Sequence, residues 1–114
     1  MEIKVIEEKI TREELESFTQ KNYGDMIKAA VDIGKGIMAL GGELHSDANE
    51  ALIKHGSNQR NIWGINIYPA RNKEEWIEFI SLINIRPADN NFDMEVQNKE
   101  IREKIKQIVD KLIA

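Results

Sequence analysis

A carboxylate and an imidazole lie two residues apart at Glu43 and His45, just after a pair of glycines. Side chains two apart on a strand share a face, so the pair could bind a metal ion or carry out acid–base chemistry with a histidine tuned by the carboxylate. Asp47 would add a third ligand only if it were free, and Glu50 three residues later marks Asp47 as a helix N-cap instead. Two ligands hold a divalent ion weakly, so we predict no metal site here. Catalysis by Glu43 and His45 stays as an alternative.

The register of the preceding hairpin decides which face this pair occupies. Residues 34–36 (Gly-Lys-Gly) are typical of a tight turn, and a loop made of the first two sets Lys28 opposite Gly41. The pair then shares a polar face with Lys28, and a cross-strand ion pair between Glu43 and Lys28 is the simpler interpretation. A three-residue loop would instead turn Glu43 toward the apolar side, where a buried carboxylate needs compensation. We therefore prefer the two-residue loop.

A second polar group surrounds Arg86. The predicted pairing of the last two strands brings Arg86 beside the segment before Trp63, which is rich in hydroxyl, amide and guanidinium groups. Such groups together could bind a carboxylate or a phosphate. The binding candidates are Asn84, Arg86, Arg60 and Ser57, with Asn58 and Gln59 between them. Because a helix is predicted to end nearby, and helix C-termini repel anions, the simpler interpretation is that Arg86 anchors the loop after it.

Composition excludes several classes of protein. The 114 residues contain no cysteine, which excludes disulfides, thiolate zinc sites and cysteine nucleophiles. No phosphate loop, dinucleotide fingerprint or nucleophile elbow is present, so we predict no cofactor. A net charge of −4 argues against nucleic acid or an anionic membrane as a partner. The first twenty residues are too charged for a signal peptide and no apolar run could span a membrane, so we predict a cytoplasmic protein.

Hydrophobic periodicity predicts the elements that position these groups. Strands are predicted at 2–6, 26–33, 37–40, 61–68 and 76–86, the last of them apolar on both sides. Helices are predicted at 12–23, 48–55 and 98–113. The first helix is marked by a capping box of Thr11 and Glu14, and the last by a broad aliphatic stripe. The order β-α-β-β-α-β-β-α predicts a single α+β domain over residues 1–114, with a mainly antiparallel sheet of about five strands and helices packed on one face.

The string Ile-Asn-Ile occurs at 65–67 and again at 83–85, each time shortly before a proline. Too few residues separate the two strands for a parallel crossover, so they should form an antiparallel hairpin. Asn66 then lies near the turn and Asn84 near the far end, roughly 15–20 Å apart at about 3.4 Å per residue. The repeated string therefore predicts two asparagines at separate places in the sheet and not one shared site. We interpret Asn66 as a residue that hydrogen-bonds to the neighbouring strand.

The two-sided strand at 76–86 bears on function. Trp76, Ile80 and Leu82 need cover, which a loop at 89–96 or a second subunit could supply. We therefore favour a non-enzymatic binding or regulatory protein, acting as a homodimer or with a protein partner. The alternative is a small hydrolase-like enzyme that uses Glu43 and His45, with Arg86 as the anion contact.

Several strings between residues 23 and 87 resemble those of a small prokaryotic family of uncharacterised proteins, a domain of unknown function. The strings are Gly-Gly-Glu-Leu-His (41–45), Trp-Gly-Ile-Asn (63–66), Tyr-Pro (68–69) and Ile-Asn-Ile-Arg-Pro (83–87). The sequence departs from the family pattern at Ile80, where an acidic residue is expected, and at 89–93, where a glycine-containing loop is expected. The resemblance implies a free-standing small protein and no activity that transfers to these residues.

Overall fold

A five-stranded antiparallel sheet, in the order β1-β3-β2-β4-β5, is the frame of the computed structural model, which describes residues 2–114. The strands are β1 (Ile3–Ile6), β2 (Ile27–Asp32), β3 (Ile37–Gly41), β4 (Ile62–Ile67) and β5 (Ile77–Glu78). The helices are α1 (Arg12–Asn22), α2 (His45–Lys54) and α3 (Lys99–Leu112). This confirms the predicted α+β class, antiparallel sheet and order of elements; Met1, part of the predicted domain, lies outside the described residues.

The larger core lies between one face of the sheet and helices α1 and α3. Thr11 caps α1 as predicted, because its hydroxyl accepts from Glu14 N at 3.0 Å. Leu15 on α1 and Ile105 on α3 are buried against alternate residues of the central strands. The aliphatic stripe of α3 is thus part of the core, as its periodicity predicts.

Helix α2 packs on the opposite face of the sheet, so the prediction that the helices share one face is wrong. Ala48 and Leu52 of α2 are buried against Ala30 of β2 and Ala39 of β3. Alanine at both strand positions lets the helix approach closely. Strands β2 and β3 are therefore buried on both faces.

The hairpin between β2 and β3 has the register of the two-residue loop. Asp32 pairs with Ile37 and Ala29 with Leu40, which confirms the preferred alternative. The buried Asp32 carboxylate accepts hydrogen bonds from the backbone N–H groups of Gly34 and Lys35, at 2.8 and 2.9 Å. These two hydrogen bonds from the loop to the Asp32 side chain stabilise the turn.

The predicted strand at 76–86 is broken after a few residues. Only Ile77 and Glu78 pair with β4, and the chain turns into a short 3-10 helix at Leu82–Asn84. Ser81 starts that turn, since its hydroxyl accepts from Ile83 N at 3.2 Å. Gly64 of β4 lies directly beneath: a Cβ at Gly64 would stand 2.5 Å from the Cβ of Ser81. The glycine therefore lets the broken segment lie against the sheet.

The segment that follows folds back along the broken strand. Ser81 N donates to Met94 O and Val96 N donates to Phe79 O, both at 3.0 Å. We call the two antiparallel segments together, residues 79–96, the edge ribbon. A loop at 89–96 does lie beside the broken strand, as one of the two predicted alternatives has it, while Leu82 keeps 70 % of its surface exposed.

Candidate functional site

Glu43 and His45 do not share a strand face. Strand β3 ends at Gly41, and both Gly41 and Gly42 have positive φ angles, of 109° and 98°, which bend the chain. Glu43 is exposed in this bend, whereas His45 is half-buried as the first residue of α2. The prediction of a shared face is wrong because β3 ends at Gly41, so neither Glu43 nor His45 belongs to a strand.

Asp47 belongs to the first turn of α2 and is not its N-cap, so that prediction is also wrong. Its carboxylate reaches back and accepts from Leu44 N at 3.0 Å, which places Leu44 at the N-cap. A Cβ at Gly42 would stand 2.7 Å from the Cβ of Asp47, so the bend and the helix start fit closely together. The Tyr23 hydroxyl holds the same bend by accepting from Gly42 N at 2.9 Å.

His45 fastens the start of α2 to the sheet. Its Nε2 lies 2.9 Å from the carbonyl oxygen of Ile65 on β4. Because a carbonyl can only accept, Nε2 carries the proton in this contact. The imidazole is therefore a hydrogen-bond donor that joins helix and strand.

A row of polar residues crosses the sheet beside this contact. Lys28 of β2 pairs with Asn66 of β4, which pairs with Glu78 of β5. The Asn66 amide donates to the Glu78 carboxylate at 2.8 Å and to Ile80 O at 3.3 Å, which confirms its predicted role as a cross-strand hydrogen bonder. Sequence reasoning missed the link between this row and His45, because the kink at the glycines sets which strand the imidazole reaches.

Burial lowers the pKa of His45 below its usual value, and the nearby Lys28 acts in the same direction. Hydrogen bonds to Ile65 O and Asn66, together with the negative charge of Glu78, oppose this shift without overcoming it. The position at the positive end of α2 also disfavours an imidazolium. His45 is therefore neutral at neutral pH.

This arrangement gives no support to the hydrolase alternative. The predicted ion pair between Glu43 and Lys28 is not formed, and within residues 2–114 Glu43 does not pair with His45 either. Glu43 and Lys28 only line the same shallow depression of about 480 Å³. No three His, Asp or Glu side chains of that part of the chain gather as metal ligands. His45 Nε2 donates its proton to the carbonyl oxygen of Ile65, so the imidazole has a structural role in this geometry.

Arg86 and Asn84 complete the edge of β4 where β5 has ended. The Asn84 side chain accepts from Gly64 N at 2.8 Å and donates to Gly64 O at 2.9 Å, as a neighbouring strand would. Arg86 donates to Ile62 O, two residues further along the same edge, and to Arg60 O at 2.9 Å. Side chains thus replace the missing strand partner at two successive positions.

This replacement overturns the predicted separation of Asn66 and Asn84. Asn84 is bonded to Gly64, which is only two residues from Asn66, because the break at Ser81 folds the segment back. The two asparagines nevertheless have different partners, as predicted, and do not form one symmetric site.

The other two binding candidates, Ser57 and Arg60, differ in burial and in their contacts. Ser57 is buried, whereas the Arg60 side chain is 82 % exposed and lies 3.7 Å from the Asp89 carboxylate. Arg86 approaches the same carboxylate at 3.8 Å and stacks on Trp63 at 3.8 Å. Burial lowers the pKa of Arg86, which Asp89 partly offsets. Asp89 therefore already supplies the negative charge near both arginines, and binding of an external anion by this group stays a prediction.

Asn91 organises the edge ribbon, and sequence reasoning missed it. Its side chain is buried and its amide donates to the carbonyls of Asn84, Asp93 and Glu95, at 2.8, 2.9 and 3.0 Å. Its oxygen accepts from Gln97 N at 2.9 Å. A string of Asp and Asn after a proline predicts a loop but does not distinguish which amide turns inward.

The ribbon exposes large apolar side chains despite this ordered interior. Leu82 and Phe92 are 70 % and 68 % exposed, and Ile85 and Met94 are exposed to a smaller degree. Two other large apolar side chains are exposed among residues 2–114: Leu44, the N-cap of α2, and Ile53 within that helix. The ribbon is therefore the main exposed apolar surface of the described chain.

Fold and site together define an α+β protein with an open antiparallel sheet, one edge of which is closed by side-chain amides and a guanidinium. The chain belongs to the family described as Protein of unknown function (DUF5674), whose model matches residues 4–112. This confirms the resemblance to a family without an assigned activity. No curated protein and no solved structure matches the chain. Across residues 2–114, no helix has the length and apolar character needed to cross a membrane.

Proposed function

We propose that the protein is a small non-enzymatic binding protein and that the edge ribbon is its contact surface for another protein. One observation carries this proposal. Of the six large apolar side chains exposed in residues 2–114, four lie on the ribbon between residues 82 and 94. Concentrated apolar exposure of this kind is typical of a protein–protein contact surface.

The ribbon is held in shape before any partner binds. Asn91 ties its outer segment and Asn84 ties its inner segment to Gly64. A contact surface that is already ordered loses little conformational entropy on binding, so a small apolar area gives useful affinity. The buried amides therefore support the proposal, since they fix the shape of the ribbon.

The occupant that we propose is a different protein with an apolar groove. A stable interface uses about 20–30 residues on each side, and permanent homodimers bury more than roughly 2,000 Å² in total. Four exposed anchors on one ribbon fall short of that and fit a transient heterologous contact. Most charged side chains of the ribbon are paired, with Glu95 2.7 Å from Arg102 and Asp89 3.7 Å from Arg60, so the partner needs no strong charge of its own.

We place this function in the cytoplasm of a prokaryote. The lack of any cysteine suits a reducing compartment, and the family resemblance supports a prokaryotic source.

The test compares two double variants as bait in quantitative capture from cell extract. Leu82→Ser with Phe92→Ser removes half of the ribbon's anchors, and Leu44→Ser with Ile53→Ser removes the matched apolar side chains of α2. All four positions are exposed, so the substitutions should change stability by no more than about 0.5 kcal/mol. We expect one or a few proteins that the wild type and the α2 variant retain and the ribbon variant loses.

Light scattering on the same proteins separates the two kinds of partner. The wild type should have the monomer mass of 13.1 kDa. A dimer that the ribbon variant dissociates would make a second copy the occupant and refute the heterologous partner. Identical captured sets for the two double variants would refute the ribbon as the contact surface.

A further inference from the structure

The two edges of the sheet are finished differently. On the β5 side, Asn84 takes the free groups of Gly64, and Asn91 takes the outward carbonyls of Asp93 and Glu95. On the other side, β1 pairs with β3 alone among residues 2–114. In an antiparallel pair alternate residues direct their N–H and C=O groups away from the partner, so half of β1 presents such groups outward.

A depression flanks this open edge on each face of the sheet. On the α2 side, a depression of about 410 Å³ has Ile3 and Ala51 in its lining. On the α1 side, a depression of about 730 Å³ has Lys4 and Phe18 in its lining. Successive side chains of a strand point to opposite faces, so a strand added to β1 would place its side chains in the two depressions in turn.

Carboxylates outnumber ammonium groups in both depressions. The α2 side carries Glu43, Asp47, Glu50 and Lys54. The α1 side carries Glu2, Glu13, Glu14, Lys4 and Lys21. A lysine or arginine of an added strand could lay its aliphatic stem on the apolar part of either depression and direct its charge to the carboxylates.

A second copy of β1 is a poor occupant for this edge. Glu2, Glu7 and Glu8 flank β1, so pairing two copies of the strand would bring carboxylates together. Like charges opposite each other on neighbouring strands are destabilising. The charges thus discourage self-association and favour a basic strand.

We propose that the outer edge of β1 binds an extended basic segment of another protein by strand addition. Main-chain hydrogen bonds to β1 supply affinity, and lysine or arginine side chains in the two depressions supply selectivity. This surface lies at the opposite end of the sheet order from the edge ribbon, so the proposal does not depend on the ribbon's function.

The experiment is an NMR titration of the full chain with a synthetic probe, the capped heptapeptide Thr-Lys-Lys-Val-Lys-Lys-Thr, which as an extended strand directs two lysines to each face. We expect the largest amide shifts at Ile3–Ile6 and a dissociation constant below about 1 mM. The same peptide N-methylated at every residue keeps its charge but has no backbone N–H to donate on either edge, and it should bind at least tenfold more weakly. Equal binding of the methylated peptide, or no binding of the probe at millimolar concentration, would overturn the proposal.

Charge-reversal variants test the two depressions separately. Glu50→Lys and Glu13→Lys should each weaken probe binding severalfold, because each places a like charge in one depression. Glu103→Lys on α3 makes the same change in net charge at an exposed position, and Phe92→Ser alters only the ribbon. Both controls should bind the probe like the wild type. A Glu103→Lys variant that weakens binding as much as the other two would reduce the effect to net charge and refute the site.

Discussion

Replacing Asn84 by alanine should remove much of the protein's stability, because this one side chain acts as a strand partner. The buried amide makes three hydrogen bonds, to Gly64 N at 2.8 Å, Gly64 O at 2.9 Å and Met94 O at 3.0 Å. Alanine would leave these groups without a partner, at about 1–3 kcal/mol for each one that water cannot reach. We expect a loss of about 3–5 kcal/mol, against a typical total of roughly 5–15 kcal/mol.

Urea unfolding followed by circular dichroism at 25 °C measures this loss. Asn72→Ala is the matched control, because Asn72 is exposed in the turn before β5, and the free energy of unfolding should change by no more than about 0.5 kcal/mol. Asn84→Asp adds a chemical test: the carboxylate keeps the acceptor for Gly64 N but turns a negative oxygen toward Gly64 O. Protonation restores a donor, so this variant should become more stable relative to wild type as the pH falls toward 4. An alanine variant that loses less than about 1 kcal/mol would refute the strand-partner role.

Three further predictions concern the packing around the sheet. The pKa of His45 is lowered in the folded state, so its contribution to stability is present above the unfolded value of 6.5 and is lost as the pH falls toward the folded value. His45→Gln keeps a donor for Ile65 O, so its free energy of unfolding, measured in urea at pH 7.5, 6.5 and 5.5, should fall less steeply with pH than that of the wild type. An equal fall in both proteins would contradict the neutral state assigned to His45. Gly64→Ala should destabilise the protein by about 1–3 kcal/mol, since its Cβ would stand 2.5 Å from Ser81 Cβ. Adding Ser81→Gly to the same chain should recover part of this loss of unfolding free energy. Strictly additive effects of the two substitutions would show that residues 64 and 81 do not touch. Ile105→Ala should cost about 2–5 kcal/mol in the same assay, and an unchanged unfolding midpoint would mean that α3 is not integral to the core.

The sequence was a reliable guide where neighbours along the chain determine the structure. Thr11 and Glu14 mark the start of α1, and their contact spans three residues. The register of the β2–β3 hairpin follows from its turn and from the need to keep apolar residues on one side. The stripe of α3 needs no knowledge of what it packs against.

Long-range contacts explain the failures. The apolar run at 76–86 has the pattern of a strand, yet it breaks at Ser81 because the chain lies against Gly64, seventeen positions away. Asp47 followed by Glu50 has the spacing of an N-cap, and only the bend at Gly42 shows that Asp47 reaches back to Leu44 instead. The inward turn of Asn91 depends on carbonyls that the fold assembles around it, so no local pattern reveals it.

Isothermal calorimetry with a purified protein from the capture experiment tests the central claim, that the edge ribbon is the contact surface, most directly. Central apolar anchors typically contribute at least about 1–2 kcal/mol each, and about 1.4 kcal/mol is a factor of ten in affinity. Leu82→Ser with Phe92→Ser should therefore weaken binding by at least tenfold, while Leu44→Ser with Ile53→Ser should leave the dissociation constant within twofold of the wild type. Unchanged affinity in the ribbon variant, or an equal loss in both variants, would contradict the claim.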